Sequence, residues 1–518
     1  MSDDTQEKVF ALLSSPLTHR SGVGARSGAQ VKRVDTHGAV LFLTRDYAYK
    51  VKRAVRLPYL DYSTLDLRKK ACEAEMEVNR PYAPDIYLGV VAITREAGGQ
   101  LALDGRGTPC EWAVKMRRFN ESMTLDRLAD QGRIDAALAE ALGRVVADAH
   151  KHATATDPSQ WISSLDAMID EHASAFSAMP DLFAANDVAT LTRSSRASFQ
   201  RIKPLLEERG RLGLIRHLHG DLHLGNIVLI LGRPVLFDAI EFSSLIASGD
   251  VLYDLAFVLM DLVERKLRPA ANLAFNRYFI ETHRAHDLDA LAALPFFMSI
   301  RAAIRAKVTA TRYQQSDAET RPFIAPDVRS YFDWAHRFIV PAKPMLIAIG
   351  GLSGTGKSVL AHNLAPDLAP HPGALVLRSD IERKTLFGQN EDVPLPEEAY
   401  APDVTLRIYS TMVDRARRAI AAGHSVILDA VFAHSGERLL AQRSAAILGV
   451  RFNGIFLTAD IDTRIARVTA RSDDASDAGA DVARTQESYD IGEVDWTRLD
   501  ASGTPAQTLA QARRMIGV

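Results

Sequence analysis

The sequence predicts two domains, the first α+β and the second α/β with a doubly wound parallel sheet and a helical lid. Three observations carry this. At 518 residues the chain exceeds the size at which one hydrophobic core usually stops growing. Up to about residue 118 short alternating strands surround one helical segment, and a long helical stretch follows. After Pro341-Ala342-Lys343-Pro344 the pattern changes to apolar strand, glycine loop and helix, the unit from which parallel sheets are built. The boundary is therefore placed at 340/341. The first domain divides into lobes of about 25–118 and 119–340, and the second spans 341–518.

Composition narrows the class of function. Hydrophobic residues make up 47% and charged ones 24%, an ordinary balance for a packed chain. Lys plus Arg number 62 against 64 Asp plus Glu, so no overall field recruits nucleic acid or an anionic membrane. Neither cysteine, Cys72 or Cys110, has a metal or redox spacing, which fits a reducing cytoplasm. The first ten residues are acidic and polar instead of basic and then apolar, and no run is long enough to span a bilayer.

The chain opens its first domain with Val31-Lys32-Arg33-Val34, Val40-Leu41-Phe42-Leu43 and Tyr47-Ala48-Tyr49-Lys50-Val51, three alternating strands. The turn Thr36-His37-Gly38-Ala39 between the first two supplies the glycine of a tight hairpin. Ser63-Thr64 is an N-cap signal for a helix running to about Arg80. Two further strands follow, Pro84 to Ile93 after a proline-fixed entry and Glu111-Trp112-Ala113-Val114-Lys115-Met116. Ile134, Leu138, Leu142, Val145 and Ala149 then form a helical stripe suited to a mostly helical lobe. His150 and His152 on it are read as packing or surface histidines.

The chemistry concentrates in His219-Gly220-Asp221-Leu222-His223-Leu224-Gly225-Asn226-Ile227, followed by Val235-Leu236-Phe237-Asp238. Phosphoryl transfer from a nucleotide needs a carboxylate to orient and accept a hydroxyl proton. It also needs an amide oxygen and a second carboxylate to hold the Mg2+ that bridges the phosphates. Asp221 is assigned as the base, with Asn226 and Asp238 as metal ligands. The loop resembles the His-Gly-Asp-x-His-x-x-Asn of aminoglycoside phosphotransferase-like kinases, which implies a bilobal protein-kinase-like fold and ATP as donor. The resemblance further implies that Lys50 binds phosphate, with Lys52 as its rival, and that Glu75, rather than Glu73, is its carboxylate partner. Asp250 and Asp254 fit the family's structural Asp, and His219 is read as bracing the loop. The glycine-rich phosphate loop of protein kinases is absent from the first hairpin. Arg301 and Arg305 share a helical face that could meet an acidic substrate or simply be a solvated basic stripe.

In the second domain, Met345-Leu346-Ile347-Ala348-Ile349-Gly350 is a short apolar strand. It delivers Gly351-Leu352-Ser353-Gly354-Thr355-Gly356-Lys357-Ser358, a complete P-loop. Backbone N–H groups from Gly351, Ser353, Gly354, Thr355 and Gly356 can close around phosphates, Lys357 reaches the terminal oxygens and Ser358 can ligate Mg2+. A second strand delivers Ser379-Asp380-Ile381-Glu382-Arg383, so Asp380 can take a proton from an acceptor hydroxyl and Arg383 can hold an anionic part of it. A third ends at Asp429, placed for the metal or its water. Arg467 and Arg471, four apart, are read as lid arginines that stabilise the transferring group, and Arg464 as a surface charge. The Asp-rich run 473–481 is read as a mobile lid without apolar anchors. Asp-x-x-Arg resembles the polynucleotide kinase, gluconate kinase and zeta-toxin group.

The order of the halves looks like that of fused bacterial phosphotransferase/ATP-binding proteins. The implied function is a bifunctional kinase that uses ATP or GTP with Mg2+ and phosphorylates hydroxyl groups of small molecules at two sites. Three alternatives stay open: a P-loop switch regulating the first half, a polynucleotide kinase, and a nucleotide-sugar kinase. From residue 344 onward 18 Lys plus Arg face 22 Asp plus Glu, a balance that disfavours nucleic acid.

Overall fold

The computed structural model describes residues 3–19, 30–57, 60–470 and 475–518. It divides into two compact units. The first comprises 1–134, 149–162 and 210–254, and the second 135–148, 163–209 and 255–518.

The first unit is built on an antiparallel six-stranded sheet. Its spatial order is Lys32–Asp35, Ala39–Leu43, Tyr47–Lys52, Thr108–Arg117, Tyr87–Arg95 and Leu101–Leu103. The first hairpin closes as its sequence requires, with the Ala39 N–H donating to Thr36 Oγ1 at 3.0 Å. Helix Leu65–Asn79 starts at Thr64, whose hydroxyl accepts from the Leu67 N–H. Its stripe Arg68, Cys72, Glu75 and Asn79 is buried, which sets three ionisable side chains and an amide on a core face. On the opposite side of the sheet lies helix Asp3–Ser14, whose Val9, Phe10 and Leu13 pack with Val40, Phe42 and Ile93. The polar start of the chain had masked this helix. Both thiols are buried, and burial pushes the Cys72 thiol up to about 12.

Farther along the first unit, strand Ile215–His217 pairs with Ser248–Asp250. The chain between them makes a short 3₁₀ turn at Leu224–Asn226 and the hairpin Ile227–Ile230 with Arg233–Leu236. Strand, loop, hairpin and aspartate thus occur in the order read from the sequence.

In the second unit, helices Leu294–Gln315 and Arg321–Ile339 are joined by a short connection. The expected basic face of the former is neither a substrate surface nor a solvated stripe. Arg301 is buried with its guanidinium over the Phe257 ring at 4.6 Å, and Arg305 lies over Tyr331 at 5.5 Å. The parallel sheet has the order Leu375–Arg378, Val426–Asp429, Met345–Gly351, Arg451–Thr458 and Thr497–Asp500. The continuous apolar run of the central strand follows from neighbours on both edges and helices on its faces. Helices Lys357–Leu364 and Pro505–Ile516 contribute Leu360, Leu364 and Ile516 to one core layer with Ile347 and Ile455. Among the described residues no helix is long and apolar enough to cross a membrane.

Candidate active sites

The first candidate site gathers on the loops after Ile215–His217 and Arg233–Leu236. Asn226 Nδ2 donates to the Asp221 backbone carbonyl at 2.9 Å and to Asp221 Oδ2 at 3.2 Å, which fixes the two side chains relative to one another. Asp238 sits in the left-handed region at φ 63, a conformation that costs energy in a non-glycine residue and is held by its surroundings. Its N–H donates to the Tyr87 hydroxyl at 3.1 Å. Next to it, Asn79 clamps Ala239 from both sides, accepting from its N–H at 2.7 Å and donating to its carbonyl at 3.1 Å.

Both candidate lysines converge on Glu75. Lys50 Nζ lies 2.9 Å from Glu75 Oε1 and 2.7 Å from Asp238 Oδ1, whereas Lys52 lies 2.5 Å from Glu75 Oε2 and also pairs with Glu241. Burial pushes the Glu75 carboxyl up, but the two ammonium groups outweigh it and hold the acid below the usual carboxylate range. Burial likewise pushes Lys50 down, and Asp238, Glu75 and Glu241 reverse this and keep it charged. Glu73 pairs instead with Lys69 at the surface, at 3.5 Å. Only Lys50 of the two lysines touches Asp238 in these contacts. Tyr62 donates to Glu241 at 3.0 Å.

The loop is braced from below. His219 Nε2 is 2.9 Å from the Phe237 carbonyl, and burial pushes the imidazole below its ordinary value, keeping it neutral. The Gly220 N–H donates to Asp254 Oδ1 at 3.1 Å, and Asp250 Oδ1 accepts from the Leu252 N–H at 2.9 Å. Gly220 has φ 82, and a Cβ there would sit 3.1 Å from Ala247 Cα.

The second candidate site is the P-loop. Gly351, Gly354 and Gly356 have φ of 139, 85 and 91. A Cβ on Gly354 would lie 2.5 Å from the Arg464 carbonyl, so backbone must pass where a side chain would stand. Lys357 Nζ donates to the Leu352 carbonyl at 3.3 Å and Ser358 Oγ to Asp429 Oδ2 at 2.6 Å. Thr355 ties the loop to itself through the Leu352 carbonyl at 2.8 Å, and the Ser353 N–H donates to Gln486 at 2.6 Å. Arg378 stands 3.4 Å from Asp429. Burial pushes the Asp380 carboxyl up, Arg378 and Lys357 offset part of this, and Asp429 adds to it.

The arginines depart most from the sequence reading. Arg383 is buried and donates to the Ala399 carbonyl and to Thr405 Oγ1 at 3.3 Å, with its guanidinium over Tyr400. It holds its own domain together in this state. Arg464 is no surface charge: it is buried, donates to the Ser353 carbonyl at 2.8 Å and to Ala483 at 3.2 Å, and pairs with Glu487. Arg467 donates to the carbonyls of Ala501 and Gly503 at 2.8 and 3.0 Å. There it lines a cavity of about 370 Å³ with Gly354, Thr355, Gly356, Pro505 and Thr508. Arg471 lies outside the described residues. The lid does have anchors. Ala475 and Ala483 are buried, and Asp477 accepts from Lys384 and Tyr400, both at 2.6 Å.

The architecture resembles a bilobal kinase fold in one part and a P-loop fold in the other, with Lys50 paired to Glu75 in the first site and Lys357 on the P-loop in the second. Residues 101–294 match the phosphotransferase enzyme family, and residues 346–489 match an AAA domain. An uncharacterized protein of Mycobacterium tuberculosis is 27% identical over 490 residues, covering 92% of this chain and 94% of its own. Among solved structures, the chain is similar to a gluconokinase from Sinorhizobium meliloti at 20% identity, over 34% of this chain and 92% of that one, with a TM-score of 0.25. It is also similar to a glucosamine kinase at 16% identity, over 63% of this chain and 79% of that one, with a TM-score of 0.34. The chain thus combines an aminoglycoside-phosphotransferase-like region with a P-loop domain, and its class is that of ATP-dependent phosphotransferases.

Proposed function

We propose that both halves transfer the terminal phosphoryl group of ATP to hydroxyl groups of small molecules, at two separate sites. One observation supports this most directly. Asn226 bonds the candidate base Asp221 and Lys50 pairs with Asp238 in the first site, while Ser358 bonds Asp429 on the P-loop in the second, and these contacts support Asn226 and Asp238, and Ser358 and Asp429, as the oxygen donors of the two sites. These are hard oxygen ligands of the kind Mg2+ takes, with room in its shell for phosphates and water. Mg2+ bound there would neutralise charge on the bridging phosphate oxygens.

In the first site Asp221 orients the acceptor hydroxyl and takes its proton, Asn226 fixes that carboxylate, and Lys50, steadied by Glu75, meets the phosphates. In the second, the P-loop N–H groups and Lys357 cradle the phosphates while Asp380 accepts the hydroxyl proton. The cavity of about 370 Å³ beside Arg467 supports a nucleoside site there. Arg467 accordingly serves nucleotide binding, and the arginine for the transferring group is Arg471. Arg383, released from Ala399 and Thr405, would meet an anionic acceptor.

The test is a screen of small alcohols and sugars with γ-labelled ATP on the full chain and its Asp221→Asn and Asp380→Asn variants. Each substitution is expected to abolish labelling of one acceptor and spare another. Labelling that survives Asp380→Asn but fails with Asp221→Asn for every acceptor would reduce the P-loop half to a nucleotide switch.

A further inference from the structure

Strand Leu375–Arg378, which delivers Asp380, lies at the edge of the parallel sheet. An edge strand presents backbone groups that need a partner or water. Here they are met by helix Arg268–Thr282, which belongs in sequence to the phosphotransferase half. Asn276 Oδ1 accepts from the Val376 N–H at 2.7 Å, and its Nδ2 donates to the Ala374 carbonyl at 3.2 Å. Asn272 donates to that carbonyl as well, at 3.0 Å. Both amides are almost fully buried. A primary amide with one donor and one acceptor so placed reproduces what a neighbouring strand would offer.

The same helix also reaches the next element. Helix Ser379–Leu386 follows the strand directly and carries Asp380 at its second position. Glu382, two residues on, is rotated by about 200° about the helix axis and so faces away from Asp380. Its carboxylate lies 3.0 Å from Arg415 Nε and 3.5 Å from His283 Nε2. His283 caps helix Arg268–Thr282 in a left-handed conformation, φ 45. Arg415 rides on helix Pro402–Ala421, which Arg418 ties to Asp289 at 2.9 Å. The strand is therefore held in translation by Asn276, and the helix in rotation by Glu382.

We propose that helix Arg268–Thr282 is a positioning element of the P-loop reaction. Asn276 acts on the strand that carries Asp380, and the Glu382–Arg415–His283 cluster acts on the helix that aims it. These residues act through Asp380 and not on the nucleotide. The inference rests on the reading of Asp380 as acceptor base.

The test uses the full chain in an Asp221→Asn background, with ATP as substrate and water as the acceptor. Asn276→Leu and Glu382→Gln are each expected to lower kcat roughly ten- to hundredfold, as small misplacements of a reacting group do, while KM for ATP stays within about twofold. Arg415→Lys, which keeps the charge, should retain most of the turnover that Arg415→Met loses. Thermal melting of each variant separates misplacement from unfolding. Unchanged kcat in Asn276→Leu and Glu382→Gln, or equal losses in Arg415→Lys and Arg415→Met with unaltered melting, would overturn the proposal. Asp380→Asn in the same background is the control on the underlying reading. If hydrolysis survives it, that reading fails and the inference falls with it; if hydrolysis is abolished while the other variants turn over normally, only the inference falls.

Discussion

Glu75 is buried and Asp380 half-buried, and the surroundings of these two carboxylates treat them in opposite ways. Glu75 lies between two ammonium groups and stays ionised. Replacing it by Gln leaves Lys50 and Lys52 with fewer countercharges in a dry setting, at a cost of about 3 kcal/mol. Glu75→Gln is expected to lower both the melting temperature and the ATP turnover of the first site, and Glu73→Gln neither. Equal effects of the two would refute the assignment. For Asp380, burial makes the ionised form costly. The folded state binds that proton more tightly than the unfolded chain does. The resulting destabilisation is therefore absent below the ordinary aspartate value of about 3.9, grows as pH rises through the raised folded value, and is complete above it. Asp380→Asn should consequently melt higher than the unsubstituted protein at neutral pH, with the gain shrinking toward pH of about 4. A variant that melts at or below the parent at neutral pH would mean that burial does not destabilise the ionised carboxylate.

At the level of elements, what the sequence made legible follows from local periodicity and from chemistry close in the chain. The hairpins of 31–52, the P-loop and the strand–loop–hairpin around Asp221 all carry their signals within a few residues. On the sequence Glu75 is chosen over Glu73 by the family resemblance, and helical phase separates them once the buried face is known, because Arg68, Cys72, Glu75 and Asn79 form one buried stripe. That same stripe was the available signal for Asn79, whose amide holds Ala239. Glu241 had no such signal, since its partners Lys52 and Tyr62 are about 180 residues away. Helix Asp3–Ser14 was missed because its three buried apolar residues sit among charged ones in a short element. The arginines were misread for a common reason. A four-residue spacing shows which side chains share a face, but a guanidinium can bury its stem and satisfy its donors on backbone carbonyls. Arg464 and Arg383 both do this, and Arg301 lies over an aromatic ring.

For the whole molecule, the proposed boundary at 340/341 marks a change of pattern, whereas compactness follows another line. Residues 255–518 fall in one unit, and the P-loop sheet depends on helices that precede the boundary. Besides the amides on Ala374 and Val376, Arg277 pairs with Glu391, and Phe275 lies 5.1 Å from His424 between ring centroids. Cutting at 340 would remove all of these and bare the outer edge of strand Leu375–Arg378. A bare edge with apolar side chains invites pairing with another copy. A fragment of residues 341–518 is therefore expected to elute as larger species or to aggregate when its mass is followed by light scattering after size exclusion, under conditions that leave the full chain uniform. It should also hydrolyse ATP more slowly per P-loop than the full chain carrying Asp221→Asn. A monomeric fragment with undiminished hydrolysis would show that the helical cover is dispensable to the sheet and to the reaction alike.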